Sequence, residues 1–154
     1  MALHFSKEEF EKRKLKTLQS MKEQNLDALL MFRQESMFWL TGYDTFGYVF
    51  FQTLILDQKG NVILLTRAPD LRQAQNTSNI EDIRIWVDQD QSNPTEDLKV
   101  ILNELNLKGK KVGIEYEAYG MTGRNALKLN KSLEGYCEVE DQSELITKHR
   151  VIKS

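Results

Sequence analysis

The sequence predicts a layered α/β domain with a mixed β-sheet, and three observations support this. Segments with helical spacing of apolar residues alternate along the chain with short apolar runs typical of strands. The run from Tyr48 to Leu56 has no charge and is rich in aromatic and β-branched residues, which favours a strand buried on both faces. A polar turn from Asp57 to Gly60 then separates two apolar runs, so two neighbouring strands are expected to be antiparallel.

The first predicted element is an amphipathic helix from Ser6 to Gln24. Ser6 and Glu9 have the spacing of a capping box, in which each side chain binds a free backbone N–H of the first turn. Asn25 is expected to end this helix, and the apolar run from Asp27 to Phe32 predicts the first buried strand. The residues expected to face the core are Phe10, Leu15, Leu18 and Met21.

The segment from Glu35 to Leu56 is the one around which the predicted fold is organised. It begins as a short helix or turn, continues through a loop that contains Gly42 and Gly47, and ends in the buried strand. Because the strand is central, the other elements are expected to pack around it.

The remaining elements are predicted from local spacing and capping signals. A strand with one buried face is expected around Trp86, where Ile83, Ile85 and Val87 alternate with polar residues. Further strands are predicted at 62–66, 111–115 and 136–139, and a short helix is predicted after Pro69. A helix from Pro94 is expected to bury Leu98, Ile101, Leu102 and Leu105, and a helix at 121–133, with Gly135 at its C-cap, is expected to bury Ala126, Leu127, Leu129 and Leu133. A terminal helix is expected to have Ser143 at its N-cap.

Composition restricts the class of function. The formal charge of −2 and the isoelectric point near 5.8 give no electrostatic reason to bind nucleic acid. No apolar run approaches the ~18 residues that predict a membrane-spanning helix, so no membrane partner is expected. The N-terminus lacks the pattern of a signal peptide, and the single cysteine, Cys137, predicts no internal disulfide and most simply an inert side chain. A cytoplasmic location is expected.

A search for catalytic patterns finds few candidates. His4 and His149 have no second ligand at metal-binding spacing, and no glycine-rich phosphate loop or nucleophile elbow occurs. Glu115 and Glu117 follow a predicted strand and are a possible acid and base, but exposed charges at a strand end are the favoured interpretation. The cluster Arg67, Asp70 and Arg72 is interpreted as local ion pairing in preference to an anion site.

Several motifs in order resemble one family along essentially the whole chain. The most specific are Asp27 to Leu30 (DALL), then after a short gap Phe38 to Gly42 (FWLTG), and at the end Arg150 to Ser154 (RVIKS). With KKVGIEYE between them, the chain resembles the N-terminal domain of the creatinase and Xaa-Pro peptidase family, which includes prolidase and aminopeptidase P.

The resemblance implies a three-layer domain in residues 1–142, with a mixed sheet flanked by helices. It also implies that residues 143–154 begin a linker helix to an absent C-terminal catalytic domain of the pita-bread fold, and the final helix, which has no C-cap signal, agrees with this. That domain would hold two divalent metal ions (Mn, Co or Zn) and hydrolyse an Xaa-Pro bond. No catalytic residue, cofactor or metal is expected in the present chain.

The resemblance further implies a homodimer in which loops of one N-terminal domain reach the active site of the other subunit. The matching positions lie in the segment from Tyr43 to Phe50, where Tyr43, Tyr48 and Phe50 are candidates for substrate access or dimer contact. Core packing of Tyr48 and Phe50 is nevertheless the favoured interpretation. Arg67 or Arg72 is a candidate to receive a substrate carboxylate, and any exposed apolar patch is expected near this loop.

Two alternatives stay open at the level of sequence. The same domain would suit a creatinase or an ectoine-derivative hydrolase, because specificity is expected to come largely from the absent domain. A stand-alone binding or scaffold module is the contrasting possibility outside the enzyme class.

Overall fold

The structure is a computed structural model that describes residues 5–45, 47 and 49–151. Helices and strands alternate along most of these residues, as the sequence predicts. In chain order the elements are α1 (Lys7–Glu23), β1 (Ala28–Met31), α2 (Gln34–Thr41), β2 (Thr53–Asp57), β3 (Val62–Arg67), a 3₁₀ turn (Ala68–Asp70), α3 (Leu71–Thr77), β4 (Asp82–Trp86), α4 (Pro94–Glu104), β5 (Lys111–Ile114), α5 (Gly123–Leu133), β6 (Glu138–Asp141) and α6 (Leu145–Val151).

One mixed sheet contains all six of these strands, in the order β4-β3-β2-β1-β5-β6. β2 runs antiparallel to both of its neighbours, whereas the pairs β3–β4, β1–β5 and β5–β6 are parallel. Five strands therefore point the same way, and their carboxyl ends lie at one side of the sheet. We call this side the carboxyl edge: the residues that follow β1, β3, β4, β5 and β6, together with the loop that precedes β2.

Helices cover both faces of the sheet and create two apolar cores. One face packs against α4 and α5 through residues such as Leu98 and Leu129. The other packs against α1, α2, α3 and α6, with Met21 and Ile146 among its buried residues. The three-layer α/β prediction is thus confirmed.

Local signals fix most element ends where the sequence predicts them. The Ser6 hydroxyl accepts a hydrogen bond from the Glu9 backbone N–H at 3.1 Å and begins α1. Asn25, with φ of 59°, follows α1, and Gly42, with φ of 85°, ends α2 in the left-handed conformation that glycine adopts most readily. The predicted hairpin is also confirmed, with Thr53 opposite Leu65 and Leu56 opposite Val62.

The central strand is shorter than predicted. It begins at Thr53, and among the described residues before it Val49 and Phe50 lie in a turn in which the Phe50 N–H donates to the Gly47 carbonyl at 3.0 Å. Phe51 is buried, yet its carbonyl accepts from the Trp86 indole at 3.0 Å and does not join a ladder. The apolar character here reflects a loop packed on the core, which periodicity cannot distinguish from a buried strand.

Several residues predicted to be buried are exposed. Leu15 and Leu127 lie on the solvent side of α1 and α5, because Thr17 and Leu129 occupy the inward positions. The prediction for the strand around Trp86 is inverted: Trp86 is buried, whereas Ile85 and Val87 are exposed at the free edge of the sheet. Leu105 is only partly buried.

The terminal helix is held differently from the prediction. The Ser143 hydroxyl donates to Asp141 at 2.6 Å and accepts from the Glu117 N–H at 3.1 Å, so it joins two loops and no bond to the first turn of α6 is seen. Leu145 and Ile146 are buried in the core beside α1 and α2. The assignment of residues 143–154 to a linker remains a prediction.

Candidate functional site

The loop that joins α2 to β2 lies at the carboxyl edge and is held from inside by Tyr43. The Tyr43 side chain is fully buried, and its hydroxyl donates to Oε1 of Gln52 at 2.7 Å and lies 3.3 Å from the Thr66 hydroxyl. Thr66 also donates to the same Gln52 oxygen at 3.0 Å. Burial raises the pKa of Tyr43, so the phenol stays protonated and remains a donor. Tyr43 therefore supports the loop from beneath.

A second anchor of the loop is the carboxylate of Asp70, which follows β3. It accepts from the Thr45 hydroxyl at 2.9 Å and from Nε of Arg67 at 3.3 Å. The Thr45 hydroxyl in turn accepts from the Gly47 N–H at 3.0 Å. A Cβ on Gly47 would lie 2.7 Å from Oδ2 of Asp70, so a larger residue at position 47 would displace this carboxylate. The predicted local ion pair of Arg67 with Asp70 is confirmed.

Two apolar side chains of the same loop, Val49 and Phe50, are exposed, as is the charged Asp44. Val49 is 49% and Phe50 is 41% exposed, so the core interpretation of Phe50 is wrong. The Arg67 guanidinium carbon lies 3.6 Å from the centre of the Phe50 ring, a cation–π contact. Arg72 is exposed on α3, one turn further along the chain. Tyr48, the remaining predicted site residue, lies outside the described residues.

Glu115 is the second notable group at the carboxyl edge. The favoured prediction, an exposed charge at a strand end, is wrong for this residue. It is completely buried after β5, where it accepts from the N–H groups of Phe32 and Arg33, each at 3.0 Å, and from the Ser36 hydroxyl at 2.6 Å. Burial raises the pKa of Glu115 to about 7, although these three donors and the charge of Arg33 oppose the shift. The carboxylate thus joins the end of β1 to the start of α2.

A cleft of about 440 Å³ opens beside this carboxylate. It lies between the carboxyl ends of β1 and β5, where the chain leaves towards α2 on one face and α5 on the other, a position that often binds ligands in α/β proteins. Its walls are already cross-linked: Arg33 donates to the Glu117 carbonyl and to the Thr147 hydroxyl, each at 2.6 Å. The lining residues are Arg33, Gln34, Glu35, Glu117, Ala118 and Tyr119.

The two carboxylates of the predicted acid and base pair lie in different surroundings. Glu115 is enclosed, while Glu117 is 80% exposed and pairs with Arg33 at 3.3 Å, so the two carboxylates do not share a reaction site. Across the part of the chain that the structure describes, no group of three or more His, Cys, Asp and Glu side chains is arranged to hold a metal ion. His149 lies 2.6 Å from the Ser20 hydroxyl, and His4 lies outside the described residues. Burial raises the pKa of Cys137, which disfavours its reactive thiolate.

Sequence reasoning singled out Tyr43, Asp70 and Glu115 but missed the side chains that bind them, which are Gln52, Thr45 and Ser36 in that order. Thr45, Gln52 and Ser36 carry no sequence signal, because the groups that they bind lie between 9 and 79 residues away along the chain. Only the sheet brings them together.

The family is decided by a match over most of the chain. A family model described as "Creatinase/Prolidase N-terminal domain" matches residues 13–152. The chain belongs to this family. A related protein of Sinorhizobium fredii (strain NBRC 101917 / NGR234), described as the uncharacterized hydrolase/peptidase y4tM, is 30% identical over 159 residues. That alignment includes 99% of this chain but 40% of the relative, so the chain spans about two fifths of that protein.

Solved structures of creatinase/prolidase N-terminal domains share the fold. The prolidase of Thermococcus sibiricus matches with a TM-score of 0.77 at 20% identity, over 94% of this chain and 38% of that one. A dipeptidase of Pyrococcus horikoshii OT3 matches with a TM-score of 0.73 at 23% identity, over 92% and 37%. A proline dipeptidase structure from Streptococcus pneumoniae also has a TM-score of 0.73, at 20% identity, and 98% of its chain is covered. Within the described residues, none of the helices has the length and apolar character to cross a membrane.

Proposed function

We propose that this chain is the non-catalytic N-terminal domain of a metal-dependent Xaa-Pro dipeptidase or aminopeptidase, and that it contributes to dimerisation and substrate access. The reaction belongs in this proposal to a C-terminal domain that carries two divalent metal ions. A metal pair of this kind activates water and stabilises the charge that develops on the scissile amide.

One observation carries the proposed role in substrate access: the described residues of the loop at 42–52 are hydrogen-bonded from within, while Val49 and Phe50 are exposed. Buried hydrogen bonds to Gln52 and Asp70 fix the loop, so little ordering entropy remains to be lost when its outer side binds. The exposed aromatic group on that side, Phe50, is the kind of residue enriched at binding interfaces. A preorganised loop with an exposed aromatic side chain suits a wall of a neighbouring active site.

Arg67 is the proposed carboxylate-binding residue of this wall. Among the described residues its guanidinium has one hydrogen-bond partner, Asp70, through Nε. The two terminal nitrogens carry the paired donors with which arginine binds a carboxylate. Arg72 is less favourably placed, because it is exposed on α3 and lacks the stacked support that Phe50 gives to Arg67.

The substrate class is proposed from the relatives. The S. fredii protein is described as a hydrolase/peptidase, and the structures above are described as prolidases or dipeptidases. These descriptions favour an Xaa-Pro peptide over a creatine-like or ectoine-like amide.

The test compares the isolated chain with the protein expressed from the complete gene, each assayed on Xaa-Pro dipeptides with Mn²⁺, Co²⁺ or Zn²⁺. We expect hydrolysis by the complete protein and none by the isolated chain. Phe50→Ala and Arg67→Ala in the complete protein should raise KM at least several-fold without loss of folding. Leu127→Ala is the matched control, because Leu127 is exposed and apolar on α5. Hydrolysis by the isolated chain, or unchanged kinetics in both loop variants, would contradict the proposal.

A further inference from the structure

Arg67, the carboxylate-binding residue of the proposed function, belongs to a closed circuit of contacts. Its Nε donates to Oδ2 of Asp70 at 3.3 Å, and Oδ1 of Asp70 accepts from the Thr45 hydroxyl at 2.9 Å. That hydroxyl accepts from the Gly47 N–H at 3.0 Å, and the Gly47 carbonyl accepts from the Phe50 N–H at 3.0 Å. The circuit closes where the guanidinium carbon of Arg67 lies 3.6 Å from the centre of the Phe50 ring. Asp70 therefore connects the loop to the arginine that the loop covers.

Two of these contacts set the orientation of the Arg67 guanidinium. Asp70 occupies Nε, and the Phe50 ring lies against the group. No hydrogen bond to the two terminal nitrogens of Arg67 occurs among the described residues, and these nitrogens form the edge that binds both oxygens of a carboxylate. A hydrogen bond is directional, whereas a contact with an aromatic face leaves the guanidinium free to turn in its own plane. Asp70 therefore supplies the contact that fixes the angle of the free edge.

The pair of Arg67 and Asp70 is largely enclosed. Their side chains are 16% and 12% exposed, so solvent screens their attraction less than that of a surface ion pair. The Gly47 backbone packs against the same carboxylate, since a Cβ at position 47 would lie 2.7 Å from Oδ2. The carboxylate has little room to move, and it holds Arg67 in place before a substrate arrives.

We propose that Asp70 is a positioning residue for substrate binding: it holds the Arg67 guanidinium at one angle, so that both terminal nitrogens meet the carboxylate of an Xaa-Pro dipeptide. The inference rests on the proposed function and deepens it by assigning the residue that orients Arg67. The alternative role of Asp70 is that of a competing anion, which would weaken the binding of a second carboxylate. Its position favours the first role, because Asp70 binds Nε and leaves the paired donors to the substrate.

The test measures KM and kcat of the complete protein on an Xaa-Pro dipeptide for the wild type, Asp70→Ala, Arg67→Ala and the double variant. We expect Asp70→Ala to raise KM roughly threefold or more with kcat nearly unchanged, as for a contact that binds the ground and transition states equally. In the Arg67→Ala background the same substitution should leave KM unchanged, because a positioning residue acts through the group that it positions. A residue that only stabilises the loop would raise KM in both backgrounds.

Two further variants separate position from charge. Asp70→Asn should recover most of the affinity, because its amide oxygen can accept from Arg67 and its amino group can donate to the Thr45 hydroxyl. Gly47→Ala should raise KM as Asp70→Ala does, because its Cβ displaces the carboxylate and changes no charge. Melting temperatures measured alongside show that each variant is folded.

Asp82→Ala is the matched control, because it breaks another pair of aspartate and arginine, with 2.6 Å between Asp82 and Arg84 on β4. It should leave KM at the wild-type value. A KM that is unchanged or lower in Asp70→Ala, or that rises equally in both backgrounds, would overturn the inference. Failure of the proposed function would appear in the wild type itself, as an absence of Xaa-Pro hydrolysis by the complete protein, so the two failures are distinguishable.

A measurement without hydrolysis tests the same contact in this chain. Nitrogen-15 spectra resolve the Nε–H group of arginine side chains, and the hydrogen bond to Asp70 protects that of Arg67 from solvent exchange. We expect the Arg67 Nε–H proton to exchange roughly tenfold faster in Asp70→Ala than in the wild type, as for a group whose protecting bond is lost. The Asp82→Ala variant should keep the wild-type rate. Equal exchange in the wild type and Asp70→Ala would overturn the inference.

Discussion

Glu115 is an ionisable side chain that is completely buried. Its carboxylate is enclosed, and three donors from the end of β1 and the start of α2 surround its two oxygens. Those donors favour the charged form, whereas burial favours the neutral one, and burial has the larger effect on the pKa. The same residue therefore joins two elements and makes the stability of the domain depend on pH.

We predict that Glu115→Gln removes a specific pH dependence of stability. Between pH 4.5, the ordinary pKa, and about 7, the folded carboxyl retains a proton that the unfolded one has released. The free energy of unfolding should therefore fall as pH rises through this window, by about 3 kcal/mol, since each pKa unit corresponds to ~1.4 kcal/mol. Urea denaturation at a series of pH values measures this slope.

Glu117→Gln is the matched control for Glu115→Gln, because Glu117 is exposed and follows the same strand. It should retain the wild-type slope. Glu115→Ala should instead lose about 1–3 kcal/mol at every pH, because the Phe32 and Arg33 N–H groups and the Ser36 hydroxyl lose their acceptor. An identical pH slope in wild type and Glu115→Gln would contradict the interpretation.

At the scale of elements, α6 is held by several different contacts. Leu145 and Ile146 enter the core, Thr147 accepts from Arg33, and His149 lies 2.6 Å from the Ser20 hydroxyl of α1. The His149 ring also stacks on Trp39 of α2, with 6.0 Å between ring centres and 15° between planes. Burial, with a contribution from Lys16, lowers the pKa of His149, while Glu23 acts in the opposite direction. The helix is thus docked most firmly when His149 is neutral.

We predict that acid loosens α6 through His149. Because the folded pKa lies below the unfolded value of 6.5, the unfolded imidazole binds its proton first, and stability is lost as pH falls below 6.5 towards the folded pKa. Hydrogen-exchange protection of the α6 amides should therefore fall in acid in the wild type but much less in His149→Gln. Lys148→Gln, exposed on the same helix, should behave as the wild type. Equal loss of protection in His149→Gln would show that another group is responsible.

At the scale of the whole molecule, the sheet separates two cores. β1 is buried along its whole length, and its consecutive residues Leu29 and Leu30 face different helical layers. Because β1 is buried on both faces, all of its residues are apolar.

We predict that Leu29→Ala and Leu30→Ala each lower the free energy of unfolding by about 2–5 kcal/mol, the usual cost of a buried leucine truncation. Their effects should add to within ~0.5 kcal/mol in the double variant, because the two cavities would lie on opposite sides of the sheet. Leu127→Ala, which is 73% exposed, should change stability by less than ~0.5 kcal/mol. Chemical denaturation of the four variants tests this, and strong coupling between the two leucines would contradict separate layers.

The sequence by itself determined the order and type of most elements. Helix starts such as Ser6, helix ends such as Gly42 and the turn at Asp57 to Gly60 depend on groups a few residues apart, so local spacing is enough to predict them. It also determined the family, because the motifs that carry the resemblance lie in a fixed order along the chain.

Only the tertiary structure decided which of these residues are buried and which meet. Phe50 and Phe51 are neighbours in an apolar run, yet one is exposed and the other buried, because the loop turns at Gly47 and the indole of Trp86 fixes Phe51. Glu115 is enclosed because β1 and β5 lie side by side, which brings Ser36 to it from 79 residues away. Ile85 is exposed because β4 ends the sheet, and a strand's position in a sheet is set by long-range pairing, which its own sequence does not encode.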